Sequence, residues 1–143
     1  MPSRPPPTSA IAGQLAAVDP TNGQWQRELA IAQRNVARAL DALGHSSAAL
    51  EAFETALAIV KELAAIKASD VATQRDLLAR YSDLGLLQDR LGRHAEAQDS
   101  YCWARAVAMT LANLQPSTGE WHERLAWLNQ RLQTAQEGEA APC

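Results

Sequence analysis

The feature that most constrains this chain is its similarity to itself at an offset of 48 residues. Gln26-Arg27-Glu28-Leu29 recurs as Gln74-Arg75-Asp76-Leu77, and Leu43-Gly44 recurs as Leu91-Gly92. The same register pairs Ala49 with Ala97, Phe53 with Tyr101, Ala56 with Ala104, Ala58 with Ala106, and Leu63-Ala64 with Leu111-Ala112. Trp121 matches Trp25 at twice the offset, and Leu125 follows Leu29 and Leu77. Upstream, Ile11, Leu15, Ala16 and Val18 fall on Ile59, Leu63, Ala64 and Ile66. Chance gives one or two such matches, not a series in one register. A period of this length marks a supersecondary unit that cannot bury its apolar face alone and needs a neighbour.

Each unit reads as a pair of helices. First helices are expected over about residues 23–43 and 71–91. Thr21 or Asn22 would cap the first, and Ser69 or Asp70 the second. Gly44 and Gly92 stop them, because glycine takes the left-handed conformation that ends a helix. After short polar turns at His45-Ser46 and Arg93-His94, second helices follow over about 47–66 and 95–114. Turns this short force an antiparallel pair. Ala49, Ala52, Phe53, Ala56, Ile59, Val60 and Leu63 recur at i, i+3, i+4 and i+7, which is one helical stripe. A last first-helix begins near Trp121, with Ser117 and Glu120 at the spacing of a capping box. The expected organisation is a Pro-rich disordered lead (1–9), a partial repeat with a short helix (10–20), two full units (21–68 and 69–116), a half repeat (117–137) and a tail (138–143).

Composition supports an all-α class. Alanine supplies much of the apolar count and favours helix, while alternating Val/Ile/Thr runs are absent. With 13 basic and 16 acidic residues evenly mixed, no basic block tracks a phosphate backbone, so no nucleic-acid partner is expected. No apolar run approaches the roughly 18–20 residues of a membrane span. Met1-Pro2-Ser3-Arg4-Pro5-Pro6-Pro7 has no apolar core of a signal peptide and reads as an unstructured or polyproline-like lead. Two cysteines, Cys102 and Cys143, make no disulfide framework, and a reducing, cytoplasmic setting is the default expectation.

Tyr81, Leu84, Gly85, Gly92, Ala97, Tyr101 and Ala104, with the more degenerate Val36, Ala37, Gly44, Ala49, Phe53 and Ala56, give a pattern that resembles the tetratricopeptide repeat over residues 10–136. The period departs from the family's length of about 34 residues. Helices of about 20 residues would absorb the difference at about 1.5 Å per residue. Leu40 and Gln88 stand where the family favours an aromatic. The resemblance implies an α-α superhelix, a solenoid of antiparallel pairs with about five long helices and a short N-terminal one. In it, Ala49 and Ala97 would let paired helices approach, and Phe53 and Tyr101 would fill the gap between units.

The family's first helices line a concave groove that receives a peptide or helix. By register, the resemblance places Arg34, Arg38 and Asp41 on that surface, then Ser82, Leu86, Asp89 and Arg90, then Trp127 and Gln130. Arg34, Arg38 and Arg90 could grip a carboxylate through paired hydrogen bonds, or could simply solvate a helix face. Trp25 and Trp121 share a repeat position and read as wedges between units. Trp103 and Trp127 break the pattern and are candidate anchors for a partner.

Catalytic spacing is missing from the sequence. His45, His94 and His122 lack HxxxH or CxxC company and read as solvated. Cys102 reads as a packed thiol without an activating base, and Glu51 and Glu54 as a solvated face. No cofactor or metal is expected. The functional expectation is a non-catalytic protein–protein interaction module. The alternative is a module that self-associates through open helix edges, or the end of a longer array.

Overall fold

A computed structural model describes residues 23–138 and 143 of the chain, and these contain helix and turn but no strand. The all-α expectation holds. The helices are α1 (Gly23–Ala42), α2 (Ser46–Ile66), α3 (Val71–Arg90), α4 (His94–Leu114) and α5 (Gly119–Gly138). The Pro-rich lead, the short helix expected over 10–20, the Thr21 and Asn22 caps, and residues 139–142 lie outside the described residues.

The bounds of α1 and α2 recur 48 residues later as those of α3 and α4, and those of α3 recur once more as α5. The turns repeat to the same register. Gly44 and Gly92 sit at φ +82° and +78°. Beyond each glycine, an N–H reaches back five residues: His45 N donates to Leu40 O at 2.9 Å, and Arg93 N to Gln88 O at 2.8 Å. That bond closes a Schellman stop, which satisfies a carbonyl the helix end would leave bare. At the start of α3, Asp70 Oδ2 accepts from Thr73 N at 3.1 Å and from the Thr73 hydroxyl at 2.6 Å, so Asp70 is the cap.

The chain divides into two compact units, Met1–Ile66 and Lys67–Cys143. In the first, α1 packs on α2. The expected α2 stripe is the buried one, with Ala49, Ala52, Phe53, Ala56, Val60 and Leu63 inside and Ile59 half-buried. In the second, α3 packs on α4, and α4 on α5. Contacts between α3 and α4 show the antiparallel course, since Gln88 meets Ser100, Asp89 meets Tyr101, and the earlier Tyr81 meets the later Trp103. α5 docks through Trp121, Leu128 and Leu132, all buried, with Leu125 half-buried between them. These positions recur at i, i+4, i+7 and i+11 and form one face.

Two local expectations need correcting. α5 begins at Gly119, and the Glu120 carboxylate points to the Arg75 guanidinium of α3 at 3.4 Å instead of turning back on Ser117. The helix thus starts one residue later than a cap at Ser117 requires. Cys102 is not a packed thiol: it is joined to Cys143 in a disulfide, with Cα atoms 5.4 Å apart across 41 residues of chain. A cysteine count carries no sign of this pairing, because the antiparallel return of α5 is what brings the chain back to α4. Disulfides belong to oxidising compartments, or inside the cell to redox sensors.

Candidate functional site

A polar cluster surrounds Asp89 in the second unit. Gly92 ends α3 and places Asp89 in its last turn, and the three-residue turn sets His94 at the start of α4. His94 Nδ1 lies 3.1 Å from Asp89 Oδ1. Two turns into α4, the Tyr101 hydroxyl donates to Asp89 Oδ2 at 3.0 Å. From α5, Arg131 Nη1 approaches the same oxygen at 3.9 Å. Three helices thus converge on one half-buried carboxylate. Burial pushes the Tyr101 phenol well above its ordinary range, helped by the hydrogen bond to Asp89 and its negative charge.

Aromatic rings extend the cluster. The Trp127 ring meets Tyr101 edge-on, with centroids 5.9 Å apart, and the Arg131 guanidinium lies 4.8 Å over Trp127. Tyr101 fits because α3 carries glycine opposite it. A Cβ on Gly85 would sit 2.6 Å from Tyr101 Cε1. Tyr101 therefore lies between α3 and α5. The buried Ser100 hydroxyl donates to Gln88 Oε1 at 2.6 Å, which satisfies both buried polar side chains.

The other tryptophans divide between core and surface. Trp121 is 1% exposed, donates from Nε1 to Gln115 Oε1 at 2.9 Å, and lies under the Arg75 guanidinium at 5.2 Å. Trp25 is half-buried in α1. Trp103 is 60% exposed and stacks on Tyr81, with ring centroids 6.3 Å apart at 15°. Trp127 is half-buried and borders an open hollow of about 390 Å³ with Glu120, Glu123 and Arg124, all residues of α5.

The expected groove residues fall on separate helices. Arg34, Arg38 and Asp41 lie along one face of α1; Arg34 is half-buried with Nη2 donating to Asn35 Oδ1 at 3.2 Å, and Arg38 is exposed. On α3, Ser82 is buried and Leu86 half-buried, Asp89 is engaged as described, and Arg90 is exposed. Trp127 and Gln130 share a face of α5, and Gln130 is exposed. The structure therefore brings Asp89 and Trp127 into one cluster through Tyr101 and Arg131. Ser82, at 7% exposure, has little surface to offer a ligand.

Tyr101, His94 and Arg131 are not marked as partners of Asp89 by motif or spacing. His94 is exposed as expected, yet held by Asp89. A signal was present in the comparison of copies: Asp41 and Asp89 are shared, but only the second copy offers a hydroxyl, because Tyr101 replaces Phe53. Glu51, Glu54, His45 and His122 are exposed, in line with solvated roles. Among the described residues, no three His, Cys, Asp or Glu side chains gather as a metal site, and no helix is long and apolar enough to cross a membrane.

Comparison with protein-family models, with curated proteins and with solved structures returns no match for this chain.

Proposed function

We propose that the chain is a non-catalytic protein–protein interaction module, a long-helix relative of the tetratricopeptide array whose pairs stack as a solenoid. The observation that carries this reading is the recurrence of one helix–turn–helix hairpin, with the same bounds and the same Schellman stop, at an interval of 48 residues. Repeats of this kind present successive helix faces, and such faces suit an extended peptide or a partner helix.

The faces offer chemistry for an acidic partner segment. Arg34 and Arg38 stand one turn apart on α1, and Arg90 is exposed near the end of α3. Trp127 and Arg131 on α5 supply an aromatic anchor with a cation beside it. The Asp89 carboxylate is already committed to Tyr101 and His94, so its part is to set the position of Arg131. Capture from the native source, with crosslinking and mass spectrometry, tests the reading. Arg34→Ala, Arg38→Ala and Arg90→Ala together should weaken a captured partner by about tenfold or more, the loss of one or two charge-assisted contacts. Undiminished capture counts against these faces.

A second reading, self-association, has its own observation. Large apolar side chains stand exposed on α1 (Ile31 and Val36) and on α4 (Trp103 and Met109).

A further inference from the structure

The cysteine pair serves no purpose in the proposed function, yet it ties the chain beyond α5 back to α4. The crosslink closes a loop of 41 residues that contains the end of α4 and the whole of α5. Among its described side chains, the apolar support of α5 is one face, the stripe from Trp121 to Leu132. Its charged contacts to α3 are weak supports: Arg75 and Glu120 are each about half exposed, and the Arg131–Asp89 approach is 3.9 Å. α3 and α4, by contrast, share a hairpin with a Schellman stop and a buried hydrogen bond. Elements held by fewer apolar contacts open first, as local units, while better-packed ones stay closed. Cys143 is exposed and Cys102 half-buried, so a reductant in solution has a sulfur to attack.

We propose that the Cys102–Cys143 disulfide is a redox-operated clasp. Oxidised, it holds α5 against α4 and keeps the Trp127–Tyr101–Asp89 cluster assembled. Reduced, it lets α5 open while the α3–α4 hairpin remains folded, baring the Tyr101 side of α4. The reductant is a dithiol. One thiolate attacks Cys143 Sγ, forms a mixed disulfide and expels Cys102 as thiolate. The second thiol of the reagent closes on its own sulfur and expels Cys143. Two electrons pass from the dithiol to the protein, the dithiol becomes a cyclic disulfide, and both cysteines finish as thiols at neutral pH.

The test is hydrogen exchange of the full chain, followed by mass spectrometry, in oxidised form, with dithiothreitol, and as Cys143→Ser. That variant alters an exposed side chain and disturbs no packing. Closing a loop of this size constrains the opened state strongly, so α5 amides should exchange about 100-fold faster in the reduced protein and in Cys143→Ser. α3 and α4 amides should stay near their oxidised rates, dithiothreitol should add nothing to Cys143→Ser, and reoxidation of the wild type should restore protection. Equal protection of α5 in all three samples overturns the proposal. So does loss of protection across α3, α4 and α5 together, which would make the bond a staple for the whole unit. Two free thiols in the intact mass of protein kept under air also overturn it.

Discussion

At the scale of single residues, the two hairpins are alike in backbone and different at heart. The buried Ser100–Gln88 hydrogen bond of the second unit stands where the first has Ala52 and Leu40. Both partners change together, as physics requires, because removing one alone strands a buried polar group at about 1–3 kcal/mol. Gln88→Leu should therefore destabilise the second unit by that amount. Adding Ser100→Ala should recover most of the loss, and a double-mutant cycle read by denaturant unfolding checks it. Tyr101 gives a second prediction. Its folded-state pKa is raised, so its neutral form favours the native state, and that contribution is complete below about pH 10. As pH rises above the unfolded value, the unfolded chain releases a proton that the native chain keeps, and stability falls. Tyr101→Phe, which restores the first unit's residue, should flatten this alkaline loss in thermal melts at pH 9 to 11.

At the scale of elements, helix bounds were legible in the sequence to within about two residues, because their signals are local. Glycine at Gly44 and Gly92, the aspartate cap at Asp70 and the i, i+3, i+4, i+7 stripe of α2 each act on neighbouring backbone. What could not be read lies between elements. The Arg75–Glu120 pair joins residues 45 positions apart, and the Cys102–Cys143 bond needed α5 to run back along α4. The candidate site was half legible for the same reason: repeat register points to Asp89 and Trp127, but only packing brings Tyr101, His94 and Arg131 to them. Gly85 tests the spacing of α3 and α4. Alanine favours a helix by about 1 kcal/mol over glycine, yet its methyl would drive into a tyrosine ring pinned by Asp89 and Trp127. Overpacking at about 1–3 kcal/mol should win. Gly85→Ala should lower the unfolding midpoint, whereas the same change with Tyr101→Ala should not add to the loss from Tyr101→Ala.

At the scale of the whole molecule, the recurrence of bounds through α5 leaves helix faces with large apolar side chains in water. Sedimentation velocity across micromolar concentrations reads their fate: self-association predicts a rising weight-average coefficient, abolished by Trp103→Glu and Val36→Glu, and a concentration-independent monomer removes that reading. Tandem copies carry a hazard of their own, since helices of the same length and register can fold onto the wrong sibling. The exchanged pair guards against this. Were α4 to settle on α1, the Ser100 hydroxyl would face Leu40 and lose its acceptor; were α2 to settle on α3, Ala52 would leave the Gln88 amide stranded. Two atoms of oxygen thus act as a mating key, letting each helix tell its own partner from a cousin of nearly the same shape.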